Sequence, residues 1–447
     1  MGQRARILAE IFGFDGWRVK EVFFENAAGQ RVAPVGGYAL LHETKVVLVV
    51  ERRWIGRCSQ CVAACRRVHE RGAKRRWADL PWAGRPVEIE YAACRVKCRR
   101  CGGAPIEMVA WADPYQRQSR RLQQLVAVEA ASMPVMHVAA LHGLSWLTVR
   151  RAEERAIARW ELTRPVVPLR HVGVDEKWLG RRHRLEHKYV TIVSNLETGE
   201  PVWIGRGRSE KTLARWLESL SLEQRSTIQL FAMDLHRAYW NAVDGVRGLE
   251  HAAIVHDPFH VMKLAGQMLD ELRREVFFRA GAKMRAVGTG RRWLLLRAWE
   301  RISEHERSDL KALLAFNTTL ARGYQIKEEL RAVLRAPDRG AMAKGLDRIL
   351  RRTQRRDVMP LRRLHDTLNE RYEEILALAE HRPAVGRIEA LNNNWETLVR
   401  RARGYRDHDY LLRKLRFMTA NPIRSKDGLK RFIALGLNPP LPLGHAA

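Results

Sequence analysis

Four of the chain's six cysteines fall into two Cys-x-x-Cys pairs, Cys58–Cys61 and Cys98–Cys101, separated by 36 residues. Two-residue spacing lets a pair of thiolates converge on one ion from a tight knuckle. Two such knuckles make the closed tetrahedral site of structural Zn²⁺. If both pairs hold one zinc, two distant stretches of chain must meet, and the intervening residues must form whatever returns the second to the first. The gap is longer than in a compact zinc ribbon. Cys65, four residues after Cys61, and Cys94, four before Cys98, complicate the ligand choice and read as spare or buried thiols. The bland alternative is a set of six reduced, buried cysteines. His69 reads as a surface or base-contacting residue.

Compartment favours the metal reading. No run of about 18 apolar residues crosses a bilayer, and MGQRARILAEIFGF lacks a signal-peptide core. The expected location is the cytoplasm, at the nucleoid, with no membrane partner. Reduced cysteines there bind metal more readily than they form disulfides.

Charge points to the partner. Lys and Arg total 80 against 50 Asp and Glu, a formal charge of +30. Such an excess repels itself in a compact fold unless a polyanion balances it. An Arg-rich chain from a GC-rich genome is the competing explanation. The cysteine segment is dense in cations, with Arg75, Arg76, Arg99 and Arg100 beside the knuckles, and suits phosphate binding. The following segment, MPVMHVAALHGLSWLTVRRAEERAI, has the outline of a helix-turn-helix. Val138, Ala139 and Leu141 would face inward, Gly143 would permit the turn and Leu144 would pack. Ser145 would cap the second helix, with Trp146, Thr148, Arg150 and Arg151 on its exposed face. Any short helical hairpin could share these letters.

Beyond Pro165, strand-like runs alternate with helical ones, as in α/β folds: HVGVDEKWLG, KYVTIVSNLE, PVWIGRG, TIQLFAMDL and HAAIVHDPF. From about 270 to 379 nearly everything reads as charged, amphipathic helix, in which Trp293 and Trp299 are expected in the core. Asp175 ends HVGVD and Asp234 ends TIQLFAMD. An acid ending a buried strand emerges at the sheet rim, within reach of a ligand. Glu389 sits in the helix GRIEALNNNWE. Three such carboxylates could hold two Mg²⁺ or Mn²⁺ ions for in-line phosphoryl displacement. Any one acid among 50 is more often a surface charge or cap.

The order of a cysteine knuckle, a helix-turn-helix, GVDE, MDLHRAYWNA, VHDPFHVMK and IEALNNNWETLVRRARGY resembles the ISL-three family of bacterial insertion-sequence transposases. The resemblance runs from about Cys58 to Phe417. It implies a ribonuclease-H-like mixed-sheet catalytic core interrupted by an all-helical insertion, within a multidomain α/β chain. It implies a DDE triad at Asp175, Asp234 and Glu389, with 154 residues between the last two. Asp257 and His260 match the family's pattern near that site, and Arg400 and Arg401 match a basic pair. Where the family carries lysines, this chain has Asn394 and Glu396; Glu396, two turns after Glu389, is a rival third carboxylate. The expected layout is a β segment over 1–48, a zinc module over 49–111 and a helix-turn-helix domain over 112–165. The core follows over 166–275, the insertion over 276–380, the Glu-bearing helix over 381–420 and a tail over 421–447. The implied activity is metal-dependent cleavage of terminal inverted repeats and strand transfer to target DNA, by a homodimer or larger assembly. A non-catalytic zinc-containing regulator and an inactive transposase relative are the alternatives.

Overall fold

A computed structural model describes residues 12–33, 44–53, 55–178, 188–279, 292–354, 357–402 and 405–436. Of the tail expected over 421–447, residues 437–447 lie outside the described residues, whereas 421–436 are described and include a helix, Lys426–Ala434, whose Phe432 is buried. The chain divides into two compact units, residues 1–166 with 395–447, and residues 167–394.

In the first unit, β1 (Trp17–Asn26), β2 (Arg31–Val32) and β3 (Thr44–Arg52) come from runs rich in Val and Phe. A short hairpin, β4 (Gly56–Arg57) with β5 (Ala64–Cys65), follows, then the long antiparallel pair β6 (Val68–Trp82) and β7 (Arg85–Val96). The main sheet has the order β2-β1-β3-β7-β6. Val46, Leu48 and Val50 alternate inward along β3. They pack around Trp111, which is fully buried and touches the rings of Trp17, Trp77 and Tyr91 at centroid distances of 4.7, 5.6 and 6.1 Å. The β6–β7 hairpin was invisible as a strand pair in the sequence, because VHERGAKRR is polar and largely exposed. It fills the gap between the two cysteine pairs.

Helices Arg120–Ser132, Val135–His142 and Trp146–Glu161 share a core of Leu122, Val126, Val138, Val149 and Ala152. Gly143 takes the left-handed conformation, φ 61°, that ends the second of them. The Ser145 hydroxyl accepts from the Thr148 N–H at 3.1 Å, capping the third. Leu141, expected inside, is 49% exposed: it lies on the outer side of its short helix, and Leu144 turns inward instead.

Helices His408–Ala420 and Lys426–Ala434 belong to this unit as well. Phe417 and Phe432 complete a core with Ala127, Ala156, Ile157 and Trp160. The buried Lys414 ammonium donates to Glu153 at 2.6 Å and to the Ala130 carbonyl at 3.2 Å. The compact units therefore divide the chain differently from the layout read in the sequence, which set 381–420 with the catalytic core.

The second unit holds a mixed sheet of β8 (His171–Trp178), β9 (Tyr189–Asn195), β10 (Glu200–Arg206), β11 (Leu230–Met233) and β12 (Ala253–His256). Its order is β10-β9-β8-β11-β12. Neighbours are antiparallel from β10 to β8 and parallel from β8 to β12. Helices Glu210–Ser219 and Arg237–Asp244 cover one face through Leu213, Leu217 and Tyr239. Ile388, at the start of helix Gly386–Ala402, packs with Leu196, Leu230 and Ala232.

From Pro258 to His381 the described chain is helical, gathered on a core including Leu269, Leu310, Leu330, Leu346 and Leu364. Val255 of β12 joins that core, so the bundle grows directly from the sheet edge. Trp299 packs against it, as expected. Trp293 does not: it is 64% exposed, with the Arg292 guanidinium 5.1 Å from its ring centre, while its neighbours Leu294 and Leu295 take the buried positions.

Candidate functional site

The acid rim follows from strand register. Val174 of β8 lies opposite Met233 of β11, and Met233 lies opposite His256 of β12. One residue further on, Asp175, Asp234 and Asp257 stand in a row just past the last parallel pairs of three adjoining strands; Asp175, expected at a strand end, lies inside β8, which continues to Trp178 paired with β9. Neighbouring strands lie about 4.8 Å apart. Leu230–Met233 of β11 are all buried ahead of Asp234, and Val172–Val174 of β8 are buried ahead of Asp175.

Each acid is held by named partners. The Asn392 amide donates to Asp175 Oδ2 at 2.7 Å, and the Lys177 ammonium stands 3.8 Å from the same oxygen. Asp234 Oδ1 accepts from its neighbour's N–H, Leu235, at 2.6 Å and pairs with His260 Nδ1 at 2.9 Å. Burial pushes the Asp234 carboxyl up, but the hydrogen bond and charge of His260 outweigh it and the pKa ends below the usual value. His260 shows the converse: burial pulls it down, yet Asp234 first and Asp257 and Asp175 after it leave the imidazole above its ordinary value. Asp257 is raised, by burial and by the charges of Asp175 and Asp234, against the pull of the Phe259 N–H. The rim thus gathers three carboxyl groups, with Lys177 and His260 beside them, and oxygen donors of this kind suit a hard divalent cation.

Glu389 approaches differently. It is exposed, on the first turn of helix Gly386–Ala402, one turn before Asn392. Two ties fix that turn. Arg387 donates to the carbonyls of Leu196, at 2.7 Å, and Glu197, and Ile388 lies over the sheet. A Cβ on Gly173 would come within 2.6 Å of Ser194 Oγ and 3.2 Å of Ile388 Cδ1, so the glycine in HVGVD makes room for the helix. The structure brings Asp175, Asp234, Asp257 and His260 together and sets Glu389 one helical turn before Asn392, on the helix that reaches Asp175. Glu396 is committed to an exposed ion pair with Arg400 at 3.0 Å. Asn392 and Lys177 were missed in the sequence; the run Asn392–Asn394, polar inside a helix one turn after a candidate acid, was the available signal.

The cysteine knot is already assembled. Cys58, Cys61, Cys98 and Cys101 lie with their sulfurs within 4.8 Å of one another, the only group of three or more metal-ligating side chains among the described residues packed this closely. Cys61 and Cys98 are 3.5 Å apart and Cys58 and Cys101 3.9 Å. A tetrahedron with metal–sulfur bonds of about 2.3 Å would place sulfurs about 3.8 Å apart. The knuckles match in detail: Val62 and Gly102, each just after its pair, both have positive φ, 63° and 70°. The N–H of Cys101 first among several donors pulls the Cys98 thiol down to about 6. Cys61 and the other sulfurs push Cys101 up to about 12. Ionising all four thiols at this spacing would require a cation between them. Cys65 is buried beside the knot, and Cys94 is buried apart from it, its N–H bound to Glu107.

The expected cationic contacts divide into free and committed. Arg75, Arg99 and Arg100 are exposed. Arg76 is held by Glu25, Glu88 and Glu90 at 2.9, 3.3 and 3.0 Å. Trp146 and Arg151 are exposed, whereas Thr148 bonds back to Ser145 and Arg150 pairs with Glu154 and Asp407. Arg401 donates to the Ala131 carbonyl at 2.6 Å. No helix among the described residues is long and apolar enough to cross a membrane.

Comparison with known proteins adds the family. Residues 172–415 match a family described as a transposase of the DDE type, and residues 107–157 match the helix-turn-helix domain of transposase family ISL3. The chain is 27% identical over 414 residues to the transposase for insertion sequence element IS1001 of Bordetella parapertussis, covering 92% of this chain and 97% of that one. It is 27% identical over 441 residues to the transposase for insertion sequence element IS1557 of Mycobacterium tuberculosis, covering 92% and 94%.

Proposed function

The chain belongs to the ISL3 family of transposases, enzymes that cut and rejoin DNA, and from that premise we propose that Asp175, Asp234 and Glu389 are its catalytic carboxylates. The observation that carries the assignment is the register that sets Asp175 and Asp234 side by side, each one residue past the last parallel pair, Val174 with Met233, of adjoining strands. The Asn392 bond, which ties the Glu389 helix to Asp175, supports the third member. The strand order, third-second-first-fourth-fifth with only the second antiparallel to its neighbours, supports a ribonuclease-H-like core. The helices after β12 are then the insertion between the second Asp and the Glu.

The family implies divalent metal, and the carboxylate oxygens of the rim fit two Mg²⁺ or Mn²⁺ ions, which Asp175, Asp234 and Glu389 would hold. Bound there, such ions would activate the attacking oxygen and stabilise the leaving one. The chain's own part is orientation. Asn392 and Lys177 fix the Asp175 carboxylate, and Leu235 and His260 fix that of Asp234. Asp257 adds negative charge behind them. Water attacks at the element end, and the freed 3′-hydroxyl attacks target DNA, with no covalent protein–DNA intermediate. The four-cysteine knot holds one structural Zn²⁺. DNA-binding surfaces are the helix around Ser145, Trp146 and Arg151, and the exposed Arg75, Arg99, Arg100 and Arg400. The partners are terminal inverted repeats and target DNA at the nucleoid, bridged by two or more copies of the chain.

A Mg²⁺-dependent cleavage assay on inverted-repeat duplex tests this. Asp175→Asn, Asp234→Asn and Glu389→Gln should each lower cleavage by at least about a thousand-fold, or about 4 kcal/mol of barrier, while DNA affinity persists. Activity surviving in Glu389→Gln but lost in Glu396→Gln would remove Glu389 from the set.

A further inference from the structure

Tyr115 is the most exposed large aromatic side chain with a left-handed backbone in the described chain: 96% exposed, at φ 62°. Both features cost free energy. A bulky residue rarely adopts that backbone, and a lone ring in water has no packing to offset it. The loop is not loose. Trp111 anchors its start in the aromatic core. At its end the Arg117 carbonyl accepts from the Ala78 N–H at 2.8 Å, and the Ser119 N–H donates to the Ala78 carbonyl at 2.8 Å. Ser119 then caps helix Arg120–Ser132. A rigid turn holds the ring out.

What surrounds the ring is cationic. Tyr115 lines a groove of about 560 Å³ with Arg75, Arg95 and Arg117, and with Ser59 and Gln60 from inside the first cysteine knuckle. All three arginines are exposed, and none is ion-paired to an acid among the described residues. The acids of the groove are spent elsewhere. Glu107 is bound by Arg52, by the Tyr91 hydroxyl at 2.7 Å and by the Cys94 N–H at 2.8 Å. Asp113 pairs with Arg120 at 3.0 Å and Arg159 at 3.5 Å. The groove therefore offers unneutralised guanidinium groups around an amphipathic ring.

We propose that this groove is a duplex-DNA contact, in which Arg75, Arg95 and Arg117 bind backbone phosphates and Tyr115 enters the adjacent groove against sugar and base edges. Guanidinium forks match phosphate geometry, and an aromatic ring fixed by its backbone loses little entropy on contact. The inference rests on the transposase reading for its partner, but it assigns a surface on β6, β7 and the loop ahead of helix Arg120–Ser132, distinct from the exposed face of helix Trp146–Glu161.

Anisotropy of a short labelled duplex titrated with the full chain, over a range of salt, is the test. Arg117→Ala and Arg75→Ala should each flatten the slope of log K against log salt by about 0.9. Tyr115→Gly should weaken binding about tenfold with no loss of melting temperature, because glycine accepts the positive φ. A purely structural tyrosine would move stability and leave affinity alone. Tyr115→Phe should bind as the wild type does. Wild-type affinity and slope in all the alanine and glycine variants would overturn the proposal while leaving cleavage intact. The Asp175→Asn chain should bind normally without cutting, so the two readings fail separately. A wild-type chain that binds no duplex would overturn both.

Discussion

The four-cysteine knot and the acid rim both offer donors that a cation could use, yet only one is closed. Its four sulfurs already meet within 4.8 Å. The rim's acids stand in a row on three strands, each occupied by a neighbour, with Glu389 a helical turn before Asn392. Protonation explains the difference. Neutral thiols can approach one another and give up protons when metal arrives. Carboxylates at neutral pH are charged and repel, so the chain spaces them on strands and supplies Asn392, Lys177 and His260 to hold them. A site that must also admit DNA is left open, whereas a structural site is shut.

If that contrast is right, metal removal should act on fold at one site and on chemistry at the other. Structural zinc contributes about 10–16 kcal/mol in small zinc domains. Cys98→Ser, or chelation under reducing conditions, should therefore release one zinc per chain and open residues 56–65 and 97–103 to protease. Residues 167–394 should stay protected. Removing Mg²⁺ should stop cleavage without changing protease sensitivity anywhere. A chain whose knot stays protected without zinc would break the contrast.

A milder probe is Gly173→Ala. Its Cβ would strike Ser194 and Ile388, under the Glu389 helix. Overpacking of this kind costs about 1–3 kcal/mol, read as a lower urea midpoint, and cleavage should fall with it because the helix shifts. Asn392→Ala separates positioning from packing. It removes the 2.7 Å bond to Asp175 on a half-exposed face. Cleavage should drop about tenfold, or about 1.4 kcal/mol of barrier, close to the low end of the about 1.5–3 kcal/mol of a hydrogen bond to a charged group, with DNA affinity unchanged. Unchanged cleavage would mean that Asp175 is held by other groups.

Strands β8 to β12 were legible because each buried run is short, apolar and ended by a polar residue. The same rule exposed Asp175 and Asp234. Their alignment was not legible, since register between β8 and β11 depends on the helices packed across them. The β6–β7 hairpin escaped because its face is solvated and cationic, without the alternation that marks a half-buried strand. Trp293 and Leu141 misled because an apolar letter within a helical run does not say which side of the helix it occupies. The packing of Phe417 and Phe432 beside Trp160 was out of reach of any local pattern: the partners lie more than two hundred residues apart in sequence, and only tertiary contact selects them.

The finest difference between the two sites is in pH. His260 is raised above its ordinary value by Asp234, and Asp234 is lowered by His260. The histidine's contribution is complete below its unfolded pKa of about 6.5 and fades as pH rises through the higher folded value. The aspartate's contribution is complete above about 3.9 and fades as pH falls through the lower folded value. Both act together between about pH 4 and 6.5. His260→Gln should therefore cost about 1 kcal/mol of unfolding free energy near pH 5.5 and less near pH 8.5. The four-cysteine knot, loaded with zinc, should weaken in the opposite direction, because its thiolates are reprotonated as pH falls. An equal cost of His260→Gln at both pH values would mean that ring packing, rather than the ion pair, orients Asp234.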